Sequence, residues 1–362
     1  MKATRAQIAV LDGWRLRCSE LYNAALQQRR EAWARQRVSV SRFAQTKDLT
    51  ELREAMREWR EIPSDIARSA LTRLDLAFAA FFRRIRSGEK PGYPRFRSRY
   101  RYDSFGVGRV RVEQGRVQVP KLGWVRFHCY RPLGGAVRNV EIRRTAKRWW
   151  VCVACDVGEA PPKRVVKTAT GIDLGLKEFA VLANGDAIHN PRHFLSGEDV
   201  LARRQRNLAT KQRGSNRRAK ARNLVGLAHE RVRNQRLDFH RKVAADLCGR
   251  YDLIAHEALN VKGLARGFLA KSVNDAGWSQ FLAILGSKAE SAGCHVVAVD
   301  PRYTTQTCAD CGLIVPKSLS ERVHACECGA VRDRDHNAAL VIEARGRRAL
   351  DLSSGVPGES RN

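Results

Sequence analysis

Acidic residues are scarce in this chain, and long apolar runs are missing. Its 362 residues hold 37 Asp and Glu against 67 Lys and Arg, a formal net charge of +30. Solubility does not require an excess of that size, and a polyanion is the natural partner for it. No segment approaches the roughly eighteen apolar residues of a membrane-spanning helix. The opening MKATRAQIAVLDGWRLRC has neither the apolar core nor the small-residue cleavage site of a secretory signal. No basic amphipathic helix or lipidation motif offers a route to a membrane surface. An intracellular protein is expected. Ten cysteines are present, but four are concentrated between Cys308 and Cys328 and the other six are scattered. That pattern excludes a disulfide framework in favour of a reducing compartment with one metal site.

With 43% hydrophobic residues the chain can bury one or two cores, and two to three domains are expected. Leu11, Trp14, Cys18, Leu21, Tyr22 and Ala25 recur at helical spacing, leaving Arg15, Arg17 and Gln27 outward. A second helix is predicted after Pro63, with Ser64 as N-cap and Ile66, Ala70, Leu74, Phe78, Phe81 and Phe82 inward, ending near Gly88. The loop that follows, GEKPGYPRFRSRYRYDSF, interleaves Tyr93, Phe96, Tyr100 and Tyr102 with arginines. It reads either as a surface for stacking on bases or as a solvated linker with buried aromatics. From Val107 to Asp156 the pattern has period two, which predicts a small β-domain. Cys152 and Cys155 lie in its last strand, where residues three apart face opposite sides and cannot chelate together.

After the linker GEAPPKRVVK, strand patterns in TATGIDLG, EFAVLANGDAIH, YDLIAHEAL and CHVVAVD alternate with helical stretches, as in a mixed α/β domain. Residues 201–224 carry nine Lys or Arg and no acid, on a helical pattern that breaks at Gly214-Ser215. Charges so uncompensated repel one another unless a polyanion lies along them.

Three acids stand out by position. Asp173 sits inside the apolar strand GIDLG, which is expected to open a hairpin turning at Asn184-Gly185. Glu257 ends the apolar strand YDLIAHE, where α/β sites usually form. Asp335, with Asp333 in reserve, is expected at the start of a helix. Each has an ordinary structural account alone, as a turn, first-turn or capping residue. Together they meet the need of two-metal phosphodiester hydrolysis, in which two Mg²⁺ ions about 4 Å apart are bridged by three or four carboxylates. Cys308-x2-Cys311-x14-Cys326-x1-Cys328 has the spacing of a zinc ribbon, each pair followed by Gly. His324 lies near enough to substitute for Cys326 or Cys328. Four thiolates leave no open position, so this zinc is expected to be structural.

GIDLG, HEALNVKGL and DRDHNAA resemble the three RuvC motifs of the TnpB (OrfB) family of transposon-encoded proteins, relatives of the compact type V CRISPR effectors. The resemblance extends through LYNAAL, PGYPRFRSRYRYDSF, VNDAGWSQFLAILGSKAESAG, DPRYTTQTCADCG and CECGAVRDRDHNAA, in family order along nearly the whole chain. It implies an RNA-guided DNA endonuclease in the prokaryotic cytoplasm, associated with the nucleoid and with transposition, which would bind a guide RNA from the transposon end and double-stranded DNA. Asp173, Glu257 and Asp335 would be catalytic, holding two Mg²⁺, and Cys308, Cys311, Cys326 and Cys328 would hold one Zn²⁺. The alternatives are a non-cutting regulator and a strand-joining transposase.

The expected fold is a multidomain α/β protein. It comprises a helical recognition domain (1–105), a β-barrel-like wedge (106–163), an RNase H-like (RuvC) mixed-sheet domain (164–304), a zinc-ribbon insert (305–331), a last RuvC segment (332–348) and a tail (349–362). The molecule is expected to be monomeric or weakly dimeric. Family members usually open with a β-strand, whereas this chain starts almost in a helix at Thr4-Arg5-Ala6-Gln7; either the β-domain lacks a strand and exposes an edge, or the start codon is incorrectly assigned.

Overall fold

The computed structural model describes residues 1–353 other than Arg109, Lys147 and Leu319. The tail expected from 349 therefore lies outside the described residues from 354 onward. The chain divides into two compact units after Gly158.

The first unit opens with α1 (Arg5–Gln36). The Thr4 hydroxyl accepts from the Gln7 amide at 3.2 Å, and the Gln7 side chain accepts from the Thr4 amide at 3.0 Å. This reciprocal box satisfies two of the amides that a helix start leaves without partners. All six apolar residues predicted to face inward are buried. Arg15, expected outward, is buried too, because its guanidinium donates to the carbonyls of Tyr102, at 2.9 Å, and Arg99. A charged side chain tolerates burial where such acceptors meet it.

Next come α2 (Arg42–Ala55), capped by Ser41, and α3 (Arg57–Arg60), followed by α4 (Ser64–Arg86). Ser64 is the first helical residue rather than the cap; Pro63 takes that place without a side-chain bond. Ile66, Ala70 and Leu74 are buried, but Phe78 and Phe81 are only partly so and Phe82 is exposed, since the apolar stripe of α4 outruns the core it packs on. In the basic loop Tyr93, Phe96 and Tyr100 are exposed while Tyr102 is fully buried.

Strands β1 (Ser104–Val107), β5 (Ala136–Arg144) and β6 (Trp149–Asp156) form one antiparallel sheet; β2 (Arg111–Glu113), β3 (Arg116–Val119) and β4 (Gly123–Arg126) form another. Helices and sheets share one core that includes Leu11, Ile66, Phe105, Val117, Ile142 and Trp149. The edge expected to lie open is met at one point: the Lys2 amide donates to the Arg126 carbonyl at 2.6 Å in an antiparallel bridge.

The second unit is built on a mixed sheet. Strands β7 (Ala169–Leu174), β8 (Glu178–Leu182) and β9 (Ala187–His189) run antiparallel in sequence. Strands β10 (Leu253–Glu257) and β11 (His295–Val299) join β7 in parallel, giving the order β11-β10-β7-β8-β9. The Asn184-Gly185 turn closes β8 onto β9, not β7 onto β8 as expected; the chain already reverses after β7 at Gly175–Lys177. Helices α5 (His193–Ala209) and α6 (Asn216–Arg250) form a long hairpin broken at Gly214-Ser215, where Ser215 caps α6 and Gly214 takes φ +86°. Short α7 (Val261–Leu264) and α8 (Ala270–Ala276) lead to α9 (Trp278–Ala292).

One face of the sheet is closed by α6 and α9, with Ile172, Phe179, Leu247, Ile254, Phe281 and Leu285 in a shared core. The chain then passes through the hairpin β12 (Val323–Ala325) and β13 (Val331–Asp333) into α10 (Arg334–Ser353), which packs on the other face and extends past the expected end at 348. No helix among the described residues is long and apolar enough to cross a membrane.

Candidate metal centre and cysteine cluster

Two neighbouring strands deliver two of the three acids. The β7–β10 ladder pairs Ile172 with His256, so Asp173 and Glu257 are the next positions along strands that run about 4.8 Å apart. Side chains alternate between the faces of a sheet. Two residues before each acid, Gly171 and Ala255 face α10. A Cβ on Gly171 would come within 2.0 Å of the Ala339 carbonyl oxygen, and the Ala255 Cβ lies 2.3 Å from where a Cβ on Gly346 would stand. Both carboxylates therefore emerge on the α10 face. That helix carries Asp335 in its first turn. Asp333 accepts from the amides of Asp335 at 2.9 Å and His336 at 3.2 Å, so the reserve candidate serves as the helix cap.

The acids feel one another. The Asp173 carboxyl is pushed up to about 7, first by burial, then by the carboxylates of Glu257 and Asp335, with Arg334 opposing. Burial also raises Glu257, against the Thr304 hydroxyl and the charge of Arg345. Crowded carboxylates of this kind favour either a proton or a cation between them. Among the described residues, only the four cysteines have ligand atoms all within 4.8 Å of one another.

Residues of the centre that sequence reasoning missed are Thr304, Asn337 and Arg345. Thr304 donates to Glu257 Oε1; Asn337 is fully buried one turn into α10; Arg345 lies further along the same helix. Thr304 and Asn337 sit inside the quoted segments DPRYTTQTC and DRDHNAA, but a lone polar residue has no periodicity to mark it. His336 contacts the Ala183 carbonyl at 3.0 Å through Nε2, tying the first turn of α10 to the β8–β9 turn.

Cys308, Cys311, Cys326 and Cys328 converge as their spacing predicts. The Sγ atoms of Cys308 and Cys328 lie 3.7 Å apart, and those of Cys311 and Cys326 3.5 Å. Four sulfurs at about 2.3 Å from a tetrahedral zinc would be about 3.8 Å from one another, so the donor set fits the ion. Each pair turns on a glycine with positive φ, Gly312 at +79° and Gly329 at +90°. Burial opposes ionisation of Cys308, but amide donors from Cys311 and Asp310 outweigh it and bring the thiol down to about 6. His324 is not part of the cluster; it is buried beside it, with Nδ1 against the Lys317 ammonium. Cys152 and Cys155 occupy opposite faces of β6.

Residues 151–267 match a family model described as a probable transposase (OrfB of IS605), and residues 278–342 match the TNB domain of Cas12f1-like proteins. A protein of Streptomyces pristinaespiralis named "Putative RNA-guided DNA endonuclease" is 31% identical over 348 residues, covering 93% of this chain and 85% of its own length. InsQ of Escherichia coli (strain K12), which bears the same name, is 28% identical over 316 residues, with 81% and 77% covered. Among solved structures, Cas12f1 in a complex with sgRNA and target DNA shares the fold with a TM-score of 0.57 at 15% identity, over 92% of this chain and 82% of that one.

Proposed function

Because the chain belongs to the TnpB (OrfB) family of transposon-encoded proteins, we propose that it is an RNA-guided DNA endonuclease with a RuvC-like centre. Asp173, Glu257 and Asp335 would hold two Mg²⁺ ions, and the four cysteines one structural Zn²⁺. The observation that supports this reading is that β7, β10 and the start of α10 bring Asp173, Glu257 and Asp335 to one sheet face, with Asp173 pushed up to about 7 first by burial and then by the other two carboxylates. Bound Mg²⁺ would supply charge neutralisation for a phosphodiester and acidify water beside it. The chain's own contribution is to fix the three carboxylates on rigid elements.

The partners proposed are a guide RNA from the transposon end and a double-stranded DNA target, held by a protein acting as a monomer or weak dimer at the nucleoid. The α5–α6 hairpin, with nine basic residues and no acid over 201–224, supports a polyanion along it. In the proposed layout the helices of the first unit recognise nucleic acid, its sheets act as a wedge, and the second unit is the nuclease with residues 305–331 as its zinc-ribbon insert.

The test is purification with RNA transcribed from the flanking DNA, followed by incubation with a plasmid library carrying randomised bases beside the guide match. Mg²⁺-dependent double-strand cuts that disappear in Glu257→Gln are expected. No cleavage, or cleavage undiminished in that variant, overturns the reading; joined strands in place of free ends would identify a transposase.

A further inference from the structure

Residues 300–309 run from the end of β11 past the first cysteine, and two side chains of α10 together with one of the loop's own hold it in place. Arg345 of α10 donates to the carbonyls of Asp300 at 2.7 Å and Arg302 at 2.8 Å. Thr304, 2% exposed, places its hydroxyl against Glu257 Oε1 and 3.1 Å from the Pro301 carbonyl. Asn337, fully buried, accepts from the Ala309 amide at 3.1 Å and donates to the Thr307 carbonyl at 2.7 Å. These two backbone groups flank Cys308, and Asn337 lies two residues beyond Asp335. Between the anchors Tyr303 adopts φ +59°, a left-handed conformation that a side-chain-bearing residue holds only where its surroundings impose it.

We infer that the 300–309 loop is a strut through which the cysteine cluster holds Glu257 and Asp335 in position, with Thr304 and Asn337 as its positioning residues. The chemistry of each suits the task. An Asn amide offers a donor and an acceptor on one planar group, so a single buried side chain answers both the N–H and the C=O on either side of Cys308. The Thr304 hydroxyl engages one oxygen of Glu257, fixing the carboxylate plane and leaving the second oxygen for a cation. Partners of this kind orient the ligands of a metal without touching it. Coupling through a shared strut is reciprocal, so zinc at the cysteines and a divalent ion at the acids reinforce each other.

This inference rests on the reading of Asp173, Glu257 and Asp335 as a divalent-metal site, and its test needs neither RNA nor DNA. Mn²⁺ binding to the full chain is titrated by electron paramagnetic resonance, with zinc content measured in parallel. Thr304→Val and Asn337→Ala are expected to retain zinc yet bind Mn²⁺ about 10- to 100-fold more weakly. Thr304→Ser should restore affinity, which a merely space-filling role would not require. Asn337→Asp sets a carboxylate against the Thr307 carbonyl in a buried position and should weaken binding at least as much as Asn337→Ala. Stripping zinc from the wild type should weaken Mn²⁺ binding comparably. Wild-type affinity in both Thr304→Val and Asn337→Ala overturns the strut alone. Absence of Mn²⁺ binding in the wild type, or binding unchanged in Glu257→Gln, overturns the metal reading and the strut with it.

Discussion

The two units bury polar groups to different ends. In the first, Arg15, Ser19, Gln45 and Ser104 are buried and each has a partner: Arg15 donates to the Tyr102 carbonyl, Ser19 to Arg97, Gln45 to Ala25, and Ser104 accepts from Arg73. These bonds tie α1 to the 97–102 loop and to α2, and α4 to β1. In the second unit the buried or half-buried groups include titratable ones, Asp173, Glu257 and His240. Among the described residues, buried atoms without a hydrogen-bond partner are concentrated there as well, including His193 Nε2, Arg236 Nε, His240 Nδ1 and Trp278 Nε1. An unpaired buried polar atom costs roughly 1–3 kcal/mol. The polar groups named in the first unit are paired within the fold, whereas in the second unit burial holds Asp173 and Glu257 above, and His240 below, their ordinary values.

The sharpest break between the units is expected from Glu257→Gln. Target cleavage should fall by about three orders of magnitude, roughly 4 kcal/mol of transition-state stabilisation. Its melting temperature without added metal should be unchanged or higher, because a buried charge is removed. A calorimetric scan beside a cleavage assay separates the two effects. In the first unit the relation inverts. Leu74, fully buried in the core, should lose about 2–5 kcal/mol of stability as Leu74→Ala, measured by chemical denaturation, while cleavage per folded molecule persists.

Identical Cys-x-x-Cys spacings sharpen the contrast. Cys308→Ser should release the zinc and destabilise the second unit by several kcal/mol, whereas Cys152→Ser with Cys155→Ser should stay within about 0.5 kcal/mol of wild type. Zinc content and melting curves decide it.

The last prediction is a pH dependence. Burial holds His240 down to about 4, opposed by its contact with the Ala276 carbonyl. The unfolded chain therefore binds more protons than the folded one between about pH 6.5 and pH 4. Stability contributed by neutral His240 is present above about 6.5 and lost as pH falls toward 4. Denaturation curves across that range should be flatter for His240→Gln; an equal slope would contradict the assignment.

Much of the centre was legible in the sequence because its acids interrupt apolar strands and its cysteines sit at metal-binding spacing; both are local signals. Helix α1 was legible because its stripe is complete. What escaped depended on distant partners. Arg15 reads as a surface charge until the carbonyls of Arg99 and Tyr102 arrive from 84 and 87 residues away. Helices α2 and α3 bury few side chains, Gln45, Leu49 and Trp59, which is too few to write a periodic pattern. The Asn184-Gly185 turn was recognised as a turn but assigned to the wrong pair of strands, since turn chemistry does not say which strand has already reversed. Thr304 and Asn337 acquire meaning only across the fold.

Gly171 lies two residues before Asp173, where the Ala339 carbonyl would leave only 2.0 Å for a Cβ. Helix α10 consequently rests on strand backbone with nothing between, and the gap between Asp173 and Asp335 is gauged by a missing side chain. Even one added methyl would act as a shim, lifting the helix that bears Asp335 away from the strand that bears Asp173. The spacing between the strand that bears Asp173 and the helix that bears Asp335 is thus set at a residue with no functional group of its own.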